Sequence, residues 1–213
     1  MTPPPSPPPW APPAGTRGLI FDCDGTLADT MPAHFVAWTA MLTRHGIPFT
    51  EKRFYELGGV PTAKIIRIVA AECGVAVDDA DVPAMVAEKE AAFLANLHAV
   101  RPLDRVVAAA AAFRGVLPLA VASGGYRDTI TRTLDQLGIR SWFDATVVAE
   151  DTARHKPEPD VFLEAARRLA VPPETCVVFE DTDIGLEAAR RAGMASVDVR
   201  GWGKSLVQGE PRR

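Results

Sequence analysis

The sequence predicts an α/β fold: a parallel sheet, interrupted after its first strand by a small all-helical insert. Three observations carry this. Short apolar runs recur along the chain and are continuous instead of alternating, as in strands buried on both faces. Helical stretches separate them, and strand, helix, strand order builds a parallel sheet. The interval from Met31 to Leu97 breaks the rhythm and has no clear strand.

Eight of the 19 prolines lie in residues 1–14. Proline fixes its own φ and offers no amide donor, so residues 1–15 are expected to form a disordered or polyproline tail. Such a tail should be dispensable for activity and melting temperature. Trp10 within it is the anchor of a weaker reading, a ligand for a proline-recognising groove. The first apolar run, Gly18-Leu19-Ile20-Phe21, ends at Asp22. The insert then reads as helices over Ala33 to His45, Lys52 to Leu57, Thr62 to Cys73 and Val82 to Leu97; Phe35, Trp38, Met41 and Leu42 share one face of the first. Further runs follow at Leu117 to Ala122, Ala145 to Ala149, Cys176 to Phe179 and, more weakly, Ala195 to Val199. Helical patterns at Arg105 to Phe113, Arg127 to Leu137, Asp160 to Leu169 and Ile184 to Ala192 lie between them. The division expected is a tail (1–15), a core (16–30 and 99–213) and a helical insert (31–98). The insert should sit over the carboxyl edge of the sheet, where both of its ends emerge. Residues 201–213 read as a loose tail.

With 213 residues the chain can bury a sizeable core. A net charge of -4 weighs against a nucleic-acid partner, which favours a basic excess. No stretch reaches the ~18 apolar residues of a membrane helix, and no basic-then-apolar leader opens the sequence. The three cysteines are odd in number and far apart, which speaks against a disulfide framework or a zinc ribbon. The expectation is a cytoplasmic protein, monomeric by default, with no nucleic-acid, membrane or obligate protein partner.

Polar residues gather where the apolar runs end, and the carboxyl ends of parallel strands form the ligand crevice of such folds. In Phe21-Asp22-Cys23-Asp24-Gly25-Thr26, two carboxylates just past a buried strand are costly unless compensated, and a hard cation such as Mg²⁺ would do so. One carboxylate can act as a nucleophile and the other exchange protons with the leaving group and with water. An Asp-Gly pair taken alone is equally a turn. Ser123-Gly124-Gly125 offers a hydroxyl and backbone amides to phosphate oxygens, although alone it reads better as an N-cap and turn. In His155-Lys156-Pro157-Glu158-Pro159-Asp160, Lys156 can neutralise phosphoryl charge and Asp160 can cap the next helix. Glu180 and Asp181, after Cys176 to Phe179, can complete a metal site opposite Asp22, while Asp183 reads as helix N-terminal charge.

In this order, FDCDGTLADT, ASGG, HKPEPD and FEDTDIG resemble the four motifs of the haloacid dehalogenase-like phosphohydrolases, over essentially residues 17–200. The helical insert is similar to the cap of the subgroup containing beta-phosphoglucomutase. Within it, GGVPT, HKPEPD and CVVFEDTDIGLEAARRAGM resemble small bacterial sugar-phosphate phosphatases of the fructose-1-phosphate phosphatase type. The resemblance implies a Rossmann-like core with a helical cap. It implies Asp22 as nucleophile and Asp24 as acid/base, with Mg²⁺ held by Asp22, the Asp24 carbonyl and Asp181, and Glu180 in support. It also implies phosphate binding by Ser123 and Gly124, charge neutralisation by Lys156, and substrate contacts near Thr30, His34 and Lys89. One departure matters: the mutase carries a phosphate-gripping arginine after the cap's glycine turn, where Thr62 stands here. Threonine offers no bidentate cation, although Arg127 could supply a charge instead.

The expectation is therefore an Mg²⁺-dependent phosphatase of a small phosphorylated metabolite, a sugar phosphate, acting through an aspartyl-phosphate. A phosphosugar mutase is the alternative. A dehalogenase would need no Asp24 and no acidic pair, and a silent sugar-phosphate sensor would need neither Asp22 nor Asp24.

Overall fold

A computed structural model of the chain describes residues 10–202. Residues 1–9 of the proline-rich segment and residues 203–213 lie outside the described residues. In chain order the strands and helices are β1 (Gly18–Phe21), β2 (Ala28–Asp29), α1 (Met31–Arg44), α2 (Glu51–Glu56), α3 (Thr62–Glu72), α4 (Val82–Ala95), β3 (Arg101–Pro102), α5 (Asp104–Phe113), β4 (Leu119–Ala122), α6 (Arg127–Gln136), β5 (Ala145–Val147), α7 (Asp160–Leu169), β6 (Cys176–Glu180), α8 (Asp183–Arg191) and β7 (Ala195–Asp198).

Five strands form one parallel sheet in the order β5-β4-β1-β6-β7. The continuous apolar runs have the physical cause expected of them. In β1, Leu19 and Phe21 face one layer, built with Val106, Ala109 and Ala110 of α5 and Ile130 and Leu134 of α6. Ile20 faces the other, with Phe162 and Ala166 of α7 and Ala188 of α8. Both faces are thus covered, and full burial of a side chain such as Phe162 contributes about 1.5–3 kcal/mol. The order turns at β1, which has β4 on one side and β6 on the other. The ends of β1 and β6 consequently open into one crevice.

Helices α1–α4 bury a separate apolar cluster that includes Trp38, Met41, Phe54, Ile66, Val69 and Met85. A two-residue antiparallel ladder frames their entry and exit, pairing Ala28 with Pro102 and Asp29 with Arg101. No sequence signal marks it, because two residues are too few to show a period. The helices also reach down to the core. Gly59, between α2 and α3, abuts Ile184 of α8 so closely that a Cβ would collide with that side chain.

Two expectations are corrected. Trp10 is packed, its ring edge-on at 4.9 Å from Phe179 and 6.1 Å from Phe113, so this part of the proline-rich segment joins the core. Proline density hid a single aromatic that has somewhere to pack. Trp202, within the supposed C-terminal tail, likewise lies edge-on to Phe179 at 5.9 Å. Among the described residues, no helix is long and apolar enough to cross a membrane.

Candidate active site

The Asp22 amide donates to the Phe179 carbonyl, 3.0 Å away, which ties the end of β1 to β6 and fixes where the Asp22 carboxylate emerges. Opposite it, Lys156 crosses from the loop before α7. Its Nζ donates to Asp22 Oδ1 (2.7 Å) and Glu180 Oε1 (2.8 Å). Glu180 Oε2 accepts from the Thr182 amide (2.5 Å) and hydroxyl (3.0 Å). Gly185 is required beside it, since a Cβ there would fall on the Glu180 carboxylate. Thr182 also caps α8, accepting from the Gly185 amide at 3.1 Å. Asp181 points to the same space, held by the Thr26 hydroxyl at 2.8 Å. Gly25, at φ +80°, makes the turn after Asp24, and a Cβ there would collide with Asp181.

Charge is strongly unbalanced here. Ligand atoms of Asp22, Glu180 and Asp181 lie within 4.8 Å of one another. Three carboxylates against the one Lys156 ammonium leave two negative charges when all are ionised. Burial lifts the Asp22 carboxyl well above its usual range; Lys156 opposes the lift, and Glu180, Asp181 and Asp24 add to it. Burial, then Glu180, push Asp181 up to about 6. Burial lowers the affinity of Lys156 for its proton, yet Asp22 and Glu180 outweigh it and hold the ammonium charged. An all-oxygen donor set with excess negative charge fits a hard divalent cation. Both oxygens of Glu180 already accept from protein donors, so within the cluster it holds Lys156 and the Thr182 turn.

The insert supplies a second set of groups. His34 Nε2 lies 3.3 Å from Asp24 Oδ1, and His34 Nδ1 lies 3.0 Å from Lys89 Nζ. An ammonium can only donate, so Nδ1 accepts and Nε2 carries the proton toward Asp24. The imidazole stacks on Phe93, centroids 4.0 Å apart. Burial and then Lys89 depress its pKa, against the pull of Asp24. Burial raises the Asp24 carboxyl, but the His34 hydrogen bond and the nearby charges leave it below its usual value. Thr30 is fully buried; its hydroxyl makes no hydrogen bond of good geometry among the described residues, yet it lies near enough to Asp24 to help hold that carboxyl down.

Ser123 is buried at the end of β4, while Gly124 is exposed. The Ser123 hydroxyl accepts from the Gly125 amide (3.0 Å), which shapes a turn; Tyr126 occupies the N-cap of α6, so Ser123 does not cap it. Asp160 does not cap α7 either. It is the first residue of that helix and pairs with Arg154 at 3.0 Å.

One cavity brings together Asp22, Asp24, His34, Lys89, Ser123, Gly124, Lys156, Glu180 and Asp181, of the residues singled out in the sequence. Thr30 does not line it. Thr62 does, on a wall with Phe54, Leu57, Val60 and Ile65, whereas Arg127 turns away to Asp151 at 2.6 Å. Glu90, Tyr126, Thr129 and His155 also line the cavity. Nothing in their spacing separates them from ordinary surface residues.

A profile of the haloacid dehalogenase-like hydrolases matches residues 16–193. The fructose-1-phosphate phosphatase YqaB of Escherichia coli is 42% identical over 184 residues, 86% of this chain and 96% of that protein. The beta-phosphoglucomutase of Bacillus subtilis is 27% identical over 197 residues, 90% of this chain and 86% of that protein. Among solved structures, CbbY from Rhodobacter sphaeroides in complex with phosphate superposes with a TM-score of 0.79 at 24% identity, covering 91% of this chain and 90% of that one; it bears on the fold alone.

Proposed function

From the premise that this chain belongs to the haloacid dehalogenase-like hydrolases, and is a phosphoric monoester hydrolase, we propose that it is an Mg²⁺-dependent phosphatase of a sugar phosphate, acting through an aspartyl-phosphate at Asp22. One observation carries the reading: Asp22 lines the cavity with Oδ1 held by Lys156 at 2.7 Å, which leaves Oδ2 outside that bond as the atom to attack.

Asp22 Oδ2 bonds to phosphorus as the bond to the sugar oxygen breaks. Asp24, whose carboxyl takes up a proton when the negative charge of the bound phosphate raises its pKa, gives that oxygen a proton, so a neutral alcohol leaves. Asp24 then takes a proton from the water that attacks the aspartyl-phosphate, releasing phosphate and restoring both side chains. Lys156, Ser123 Oγ and the Gly124 amide serve the phosphoryl oxygens. Asp22, Asp181 and the Asp24 carbonyl would hold Mg²⁺, whose chemistry when bound is neutralisation of phosphoryl charge. His34 orients Asp24. The insert shields the site, which confines turnover to small substrates.

The relative named for fructose-1-phosphate supports a neutral polyol as leaving group. A mutase must also grip a second phosphate. Thr62 gives it no cation, and Lys89 and Lys156, the lysines lining the cavity among the described residues, are already paired. Phosphate release with Mg²⁺ across sugar phosphates, nucleotides and phosphoglycolate is the test, with Asp22→Asn as the blank. Preferential release from hexose or pentose phosphates, absent in the blank, is expected. Interconversion of glucose phosphates without release would hand the site to the mutase reading, and equal release by Asp22→Asn would remove Asp22 as nucleophile.

A further inference from the structure

Glu90 follows Lys89 on α4, and adjacent helical residues point apart. Even so, Lys89 Nζ donates to Glu90 Oε1 at 2.9 Å, and Glu90 Oε2 accepts from the Thr129 hydroxyl of α6 at 2.8 Å. Both residues are shielded. Thr129 is buried, and the Glu90 side chain is only 15% exposed. These two bonds extend the pair at Asp24 into one connected path: Thr129, Glu90, Lys89, His34, Asp24. The path starts on core helix α6, crosses insert helices α4 and α1, and returns to the core just past β1.

Each link has a directional reason. Thr129 has a hydroxyl proton and Glu90 has only acceptors when ionised, so Thr129 donates. Lys89 has only donors, so it must be shared between Glu90 and His34 Nδ1. It lies over the Trp38 and Phe93 rings, 5.6 and 5.8 Å from their centroids, with its side chain 5% exposed. A buried ammonium has few other places to go. With Nδ1 taken, the imidazole proton sits on Nε2, the nitrogen facing Asp24. Without its hold on Glu90, Lys89 would be free to leave Nδ1, and the tautomer would then be held by Asp24 alone, which demands the proton on Nε2 only while it is ionised.

We propose that Thr129 and Glu90 are positioning residues that fix the orientation of Lys89, and through it the His34 tautomer presented to Asp24, so that α6 of the core sets the geometry of the acid/base residue through the insert. This rests on the role given to Asp24 above. Both line the cavity, but their side-chain hydrogen bonds go to Lys89 and to each other and not to Asp22, Asp24 or Lys156. The link between Glu90 and Thr129 is made where α4 lies against α6.

The test begins with the metal-free protein and needs no turnover. The ¹⁵N shifts of the His34 imidazole report its tautomer. The Nε2–H form is expected in the wild type and in Thr129→Ser, which keeps the hydroxyl. In an Asp24→Ala background, which removes the other fix on Nε2, Thr129→Val and Glu90→Gln should shift the ring toward a mixture of the two tautomers. Unchanged His34 shifts in both Thr129→Val and Glu90→Gln in that background would overturn the proposal, whatever the enzyme's substrate proves to be.

Kinetics supply the second arm. A sugar phosphate needs a proton on its leaving oxygen, whereas p-nitrophenyl phosphate expels a stabilised phenolate. Thr129→Val should lower kcat/KM for the sugar phosphate by about tenfold or more, part of the 10²–10⁴ a general acid supplies. It should change kcat/KM for the aryl ester far less, and Thr129→Ser should restore the former. In a His34→Asn background, Thr129→Val should cost nothing further, since residues acting through one path are not additive. Equal losses on both substrates, or full additivity with His34→Asn, would show a merely structural contact.

Discussion

Asp22 and Asp181 show how burial sets the chemistry of a carboxylate before any ligand arrives. Both are lifted above their usual pKa by desolvation; the acids beside them add to the lift, and Lys156 opposes it. A raised folded-state pKa means that the unfolded chain releases the Asp181 proton first. The charge therefore costs the metal-free protein stability as pH rises from about 4 through about 6, and protonation relieves that cost below this window. A cation needs the ionised form. Mg²⁺ should accordingly raise the melting temperature strongly at pH 7.5 and little at pH 5, because protons compete for Asp181 below about 6. Thermal melts with and without Mg²⁺ at the two pH values check this, and a shift independent of pH would count against Asp181 as a ligand. At this scale the sequence was informative only where motifs stood: Asp22, Asp24, Lys156 and Asp181 follow buried runs in order. Glu90 and Thr129 are 39 residues apart and belong to no pattern, so only the packing of α4 on α6 brings them together.

Elements were legible to the extent that burial writes a period. The central strands are apolar on both faces because helices cover both, and α1 and α3 of the insert show one apolar side because the helices of the insert close on each other. The β2–β3 ladder was not legible, being two residues long, with Asp29, Arg101 and Pro102 exposed. Trp10 was obscured by its proline neighbours, though its ring lies against Phe179 of β6. A partly buried Trp contributes less than the ~3–5 kcal/mol lost when a core Phe or Trp becomes Ala. Trp10→Ala should cost about 2 kcal/mol, which for a domain of this size lowers Tm by about 4–8 °C. Thermal unfolding of that variant checks the value; an unchanged Tm would show that the aromatic contact adds nothing.

Across the molecule, one arrangement unites the sheet and the insert. The order of the sheet turns at β1, so Asp22 and the acids at the end of β6, Glu180 and Asp181, share a crevice, and α1–α4 deliver His34 and Lys89 above it. The fold class and the place of the crevice follow from the sequence because both depend on apolar runs. The fit of insert to core does not, because it depends on single contacts such as Gly59 against Ile184. The central claim is a covalent phosphoryl group on Asp22. Its most direct test is to quench the enzyme during turnover of a hexose phosphate, reduce acyl phosphates with borohydride, and map the peptide containing residue 22 by mass spectrometry. Homoserine in place of Asp22, absent without substrate, is the predicted result; steady phosphate release with residue 22 unmodified, or with the reduction found at another carboxylate, would contradict the account.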